Sequence, residues 1–124
     1  IASDHAPHSQ EEKDLEFDRA AFGIVGLETA LPLSLKLVQN GWLPLNELIV
    51  KMAKHPARIL GINNDIIPGN PADLTLIDLE EKGVIDPDRF VSKSRNTPFS
   101  GVAVQGSAVA TMVDGIFVFD RRQG

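Results

Sequence analysis

The spacing of apolar residues changes once along this chain of 124 residues, at Gly61, and that change limits the folds open to it. Before it, Leu27, Ala30, Leu31, Ser34, Leu35 and Val38 recur at intervals of three and four, the stripe of an amphipathic helix beginning near Gly26. After it, "ADLTLIDLE" alternates, with Leu74 and Leu76 on one face and Thr75 and Ile77 on the other, which is the period of a strand. The chain therefore divides into two portions: 1–61, with a strand end, a loop and helices, and 62–124, all β.

Local signals punctuate both portions. Pro32 is expected to bend or restart the first helix, because its ring removes a backbone donor and clashes with the preceding turn. Asn40-Gly41 closes that helix, the glycine supplying a left-handed cap. Asn46 is expected to cap a second helix that turns Leu48, Ile49, Met52 and Ala53 inward. His55-Pro56 should interrupt it, and a short third turn starts with Pro56 at its first position and ends at Gly61. Beside that break, His55 reads as a packing or capping residue. Pro68-Gly69 suits the centre of a type II turn. Asp114-Gly115, between Val109–Val113 and Ile116–Phe119, predicts a hairpin with a type I′ turn.

With 43% hydrophobic residues the chain can build one modest core, and no apolar run approaches the roughly 18 residues of a membrane span. It has no cysteine, so any metal site must use oxygen or imidazole; this fits a cytoplasmic protein. A net charge of -5 speaks against nucleic acid, whose phosphates call for clustered Lys and Arg. Part of the acid sits in one run, where Glu11, Glu12, Asp14, Glu16 and Asp18 face only Lys13 and Arg19. The stretch 6–21 reads as a long, mobile loop, of the kind that usually serves function in a compact domain.

The chemistry concentrates at "IASDHAPHSQEEK". Ile1, Ala2 and Ser3 suit the end of a buried strand, and Asp4 and His8 follow at the position where parallel α/β barrels keep their sites. The same pattern also fits a loop cap with two solvated imidazoles. A hydrolytic zinc needs three or more protein ligands and an open water position, and the remaining residues offer no further ligand cluster. The chain begins with Ile rather than Met, as expected of a processed product or a piece of something longer.

Taken together, "SDHAPHSQEEK", "AFGIVGLETALPL", "HPARILG", "IIPGNPADLTLID" and "SRNTPFSGVAVQGSAVATMVDGIFVF" resemble the C-terminal third of dihydroorotases, in particular the bacterial class I form, within the amidohydrolase superfamily. The resemblance implies an α/β fold: the last part of a distorted (β/α)8, TIM-like barrel, plus the C-terminal strands of a small β-sandwich assembled from both chain ends. It places 1–3 at the end of the eighth strand, with the loop and covering helices up to 61 and the sandwich share from 62 to 124. It implies one or two zinc ions and the interconversion of dihydroorotate and N-carbamoyl-aspartate, a step of pyrimidine biosynthesis. Asp4 matches the catalytic aspartate that also contacts the metal. His8 matches the residue gripping the substrate carboxylate, and Phe22 and Gly23 match a backbone clamp on the substrate. His5 matches no ligand and is expected to be structural, its ring oriented by a backbone carbonyl.

The resemblance further implies that the remaining metal ligands lie in a preceding part of the same enzyme. These 124 residues alone are then expected to be inactive. A homo-oligomer or a complex with aspartate transcarbamoylase is compatible with it. Two other readings remain: a non-catalytic dihydroorotase-like packing module, and a hydantoinase- or allantoinase-like cyclic amidohydrolase. Hydantoinase-like relatives tend to carry an aromatic residue where His8 stands, which favours dihydroorotate.

Overall fold

The computed structural model describes residues 1–123; Gly124 of the second portion lies outside them. The elements follow in the order α1 (Gln10–Lys13), α2 (Ala30–Gln39), α3 (Leu45–Ile49), a π-helical turn Val50–Lys54, α4 (His55–Leu60), then β1 (Leu74–Val84), β2 (Ala103–Val113) and β3 (Ile116–Asp120). The three strands form one antiparallel sheet in the order β1-β2-β3.

The helical portion keeps the expected stops and moves the starts. A turn formed by Thr29 and Ala30 N–H on Gly26 O precedes α2, so the helix begins at Ala30, and Leu27 of the predicted stripe is exposed. Pro32 then falls in the first turn, where its missing N–H would have had no partner, and it breaks nothing. Leu35 and Ser34 are buried, and Gly41 closes the helix at φ 71, with Trp42 N–H on Leu37 O at 2.9 Å. The second helix starts at Leu45 after the extended Pro44, so Asn46 lies inside it rather than at its cap. Of its predicted inward residues Leu48 is fully buried, Met52 and Ala53 are half-buried and Ile49 is exposed.

His55-Pro56 does not interrupt the helical path. The turn before it widens into a π-helix in which the His55 N–H bonds Val50 O, five residues back. This absorbs the proline, whose ring would otherwise press on the carbonyl four residues earlier. Pro56 is the second residue of α4, and Gly61 ends it in the left-handed region, with Ile62 N–H on Ala57 O at 2.9 Å.

In the β portion, Gly69 has φ 96 and Asn70 N–H bonds Ile67 O, as a type II turn requires. Asp114 and Gly115 both have positive φ, the type I′ hairpin turn. The pairing of β1 with β2 is interrupted twice, and that of β2 with β3 once, between Thr111 and Met112. Val109 is the extra residue between the Leu76–Ala110 and Ile77–Ala108 pairs, which turns Ile77 to the same half-buried state as Leu76. Further on, Leu79, Glu80 and Glu81 bulge opposite Gly106, and the Asp78 carboxylate accepts the Glu80 and Glu81 N–H groups.

That bulge admits the helix. A Cβ on Gly106, at φ +92, would be strained and would lie 2.5 Å from Leu35 Cδ1, so the glycine leaves room for α2 to seat on β2 without displacing Leu35. Lys36 and Gln39 of α2 donate to Ala103 O and Gln105 O, on the part of β2 that β3 does not cover. Burying Leu35 and Leu48 contributes roughly 1.5–3 kcal/mol each. With Val25, Ala57, Ile85 and Ala110 they make a small core, and large side chains such as Ile59, Ile66, Val91 and Phe17 stay exposed. No described helix is long and apolar enough to cross a membrane.

Candidate active site

Residues 1–4 pair with no strand among the described residues; the parallel bridge between His5 and Ile24 is the ladder contact of the segment, with Ala6 N–H on Ile24 O at 2.9 Å. His5 fixes the alignment. Its Nδ1 accepts the N–H groups of Gly26 (3.0 Å) and Leu27 (3.4 Å), which leaves the ring proton on Nε2. Backbone N–H groups, rather than the expected carbonyl, thus orient the His5 ring. Gly26 permits the approach, since a Cβ there would stand 2.5 Å from Ser3 O.

Asp4 precedes this anchor with φ 43, an uncommon conformation for a side-chain-bearing residue. Its carboxylate is exposed and takes no hydrogen bond or ion pair among the described residues. Without a partner among the described residues, this carboxylate is open to a ligand or a cation.

His8 is half-buried. Its Nδ1 lies 3.5 Å from Glu12 Oε2, and its Nε2 lies 3.6 Å from where a Cβ of Gly23 would be. Glu12 also completes a capping box with Ser9 at the start of α1, and the Ser9 N–H, more than the neighbouring His8, holds its carboxyl below the usual range. So the predicted loop 6–21 contains an ordered turn. Lys13 at its end donates to Ala21 O (2.7 Å) and Gly23 O (3.2 Å), and the acidic side chains of the run face solvent.

Gly23 adopts φ +108 and packs against Ala6 so closely that a Cβ would meet the Ala6 Cβ at 2.4 Å. The side chain of Phe22 is 92% exposed. The backbone N–H and C=O of Phe22 and the N–H of Gly23 make no hydrogen bond among the described residues, which leaves them available to a ligand. His8, Phe22 and Gly23 thus come together.

Sequence reasoning missed Asn96, on the connection between β1 and β2. Its Nδ2 donates to Ala6 O (2.9 Å) and Gly23 O (3.2 Å), its Oδ1 accepts His8 N–H (3.3 Å), and its carbonyl accepts Val25 N–H (3.0 Å). Ser94 Oγ adds a bond to His8 O at 2.8 Å. The signal was present in "SRNTPF", but nothing local shows that this loop reaches back to the chain start.

Asp4 suits a divalent cation as one oxygen donor, yet no group of three or more His, Cys, Asp or Glu among the described residues could hold one. One carboxylate does not fix an ion that takes three or more protein ligands.

The chain belongs to the amidohydrolase family, whose profile matches residues 1–118. That family is generally metal-dependent. The chain is 60% identical over 121 residues to a dihydroorotase of Desulforapulum autotrophicum and 52% over 122 residues to one of Geobacter metallireducens, in each case over 98% of its own length. It covers 28% and 29% of those two proteins, so it spans less than a third of the relatives it matches. Among solved structures it superposes on the L-hydantoinase of Arthrobacter aurescens with a TM-score of 0.80 at 35% identity, covering 86% of this chain and 24% of that one.

Proposed function

We propose that this chain is the C-terminal part of a zinc-dependent dihydroorotase, a cyclic amidohydrolase that interconverts dihydroorotate and N-carbamoyl-aspartate. The observation that carries the reading is the approach of His8 Nε2 to Gly23, next to the Phe22 N–H and C=O and the Gly23 N–H, which make no hydrogen bond among the described residues. An imidazole close to backbone N–H groups without partners suits a carboxylate on a small planar ring. The 60% identity to a dihydroorotase supports the choice of substrate.

In this reading His8 and the amides of Phe22 and Gly23 hold the substrate carboxylate and set the ring's orientation. When bound, zinc polarises the amide carbonyl and acidifies water. Asp4 takes the proton from the water as its oxygen bonds to the amide carbon. As the carbon–nitrogen bond breaks, Asp4 returns that proton to the departing nitrogen. The remaining metal ligands, the rest of the barrel and the other strands of the sandwich come from the preceding part of the enzyme, with 1–3 as the last barrel strand. The 124 residues alone then bind zinc weakly and turn nothing over. Association with aspartate transcarbamoylase or a second copy belongs to the whole enzyme.

The likeness to an L-hydantoinase favours a second reading, a hydantoin-opening enzyme. Steady-state assays of the full-length zinc enzyme on dihydroorotate and on a 5-substituted hydantoin decide between them. Turnover of dihydroorotate with little on hydantoin is expected; the reverse preference would overturn the substrate assignment, and no turnover of either would point to a non-catalytic module.

A further inference from the structure

The bonds that hold the site together come largely from a residue far from it in sequence. Asn96 lies between β1 and β2, and its carboxamide uses both donors and its acceptor on the site segments: Ala6 O, Gly23 O and His8 N–H. Those three groups flank His8 and Gly23 on both sides. At the level of His8 burial holds neither segment, since Ala6, His8 and Gly23 are only half-buried and Phe22 is exposed; burial begins at Val25. Further along the loop, Lys13 donates to Ala21 O and Gly23 O and the Ala21 N–H bonds Glu12 O, while Ser94 touches only His8 O. His5 and the Ala6–Ile24 bond align the strands one step further along. Asn96 alone among these reaches both segments at the level of His8.

We propose that Asn96 is a positioning residue that sets the distance between His8 and the Phe22–Gly23 backbone, and through it the affinity for the substrate carboxylate. The inference rests on the substrate reading above. Asn96 touches none of the atoms assigned to bond making. Its loss therefore acts on substrate binding more than on the chemical step.

The chemistry of the side chain is specific. Alanine removes all three bonds. Aspartate keeps the shape and the acceptor for His8 N–H but turns a carboxylate oxygen toward the Ala6 and Gly23 carbonyls, so two attractions become repulsions. In the full-length zinc enzyme, Asn96→Ala should raise KM for dihydroorotate about 10- to 100-fold, the scale of a misplacement near 1 Å. Asn96→Asp should raise it further, and kcat at saturation should stay within about threefold in both.

A purely structural Asn96 would instead lower kcat through a smaller active fraction at unchanged KM. Unchanged KM in both variants, or a fall in kcat alone, would overturn the proposal. Should the wild-type enzyme be inert toward dihydroorotate, the substrate reading fails separately, and exchange at the Ala6 amide then judges the clamp. Faster exchange in Asn96→Asp than in wild type supports it, and equal rates overturn it.

Discussion

Replacing Gly23 by alanine tests the geometry of the site at one atom. The added Cβ would stand 2.4 Å from the Ala6 Cβ, where carbon atoms in contact prefer about 3.5–4.0 Å. The φ of +108 separately strains any residue with a side chain, by about 1–3 kcal/mol. Overpacking adds about 1–3 kcal/mol, and relieving it means parting the Ala6 and Gly23 segments by about 1 Å or more. The Asn96 amide spans those segments at 2.9 and 3.2 Å and cannot follow both. A shift of that size should lower kcat/KM about 10²-fold, or about 2.7 kcal/mol of transition-state stabilisation. The two costs separate in a double-mutant cycle read as kcat/KM of the full-length enzyme on dihydroorotate. Ala6→Gly removes the colliding atom, so Ala6→Gly/Gly23→Ala should recover at least about tenfold over Gly23→Ala while retaining the φ strain. Losses that simply add, with no recovery in the double variant, would refute the steric reasoning, and an active Gly23→Ala enzyme with unchanged KM would refute the placement of Gly23 at the site.

Two further outcomes follow from other residues. Asp4→Asn should cut kcat by about 10²–10⁴ with KM little changed, whereas His8→Ala should mainly raise KM, by about tenfold or more for a lost charge-assisted bond; steady-state kinetics showing the opposite pattern would mean the two roles are exchanged. In the sheet, Arg121 donates to Glu81 at 2.6 and 3.0 Å and Ser107 also bonds it, which holds that carboxyl below the ordinary glutamate value of 4.5. A depressed folded-state value means stability present above 4.5 and lost as pH falls through the lower folded value. The pair is more than a third exposed on both sides, which limits the effect to about 0.2–1 kcal/mol. The urea midpoint of Glu81→Gln should therefore sit below wild type at neutral pH and converge with it in acid; a gap that widens in acid would contradict the sign.

What the sequence revealed divides by range. Gly41, Gly61, Gly69 and the Asp114-Gly115 pair were legible because each turn needs a positive φ that few residues supply, and the chain shows all of them there. The starts were not, because Thr29 and Pro44 cap without side-chain bonds and an inner Asn46 looks like a cap. Pro56 misled for a physical reason: the π turn accommodates it, and no residue pattern announces one. The roles of Asp4, His8, Phe22 and Gly23 came from a resemblance, and the structure brings His8 beside Gly23. Asn96 was missed because its partners lie up to 90 residues away, a separation that no spacing rule covers.

The distribution of forces in the chain follows from that separation. Leu35 on Gly106 locks α2 to β2, and the loop carrying Asn96 leaves from the far end of β1 and returns into β2. The sheet thus carries Asn96 to the site loop, where its carbonyl also accepts the Val25 N–H, and Thr29 at the start of α2 bonds Gly26 O. Packing fixes where the two portions meet, and hydrogen bonds fix the last ångström at His8 and Gly23. Such a division suits a binding site. A core of few residues tolerates little rearrangement at Gly106, whereas a polar clamp at the surface can hold two segments apart and leave the Phe22 and Gly23 amides open between them. Disrupting the packing should therefore cost stability first, and disrupting the clamp should cost affinity first.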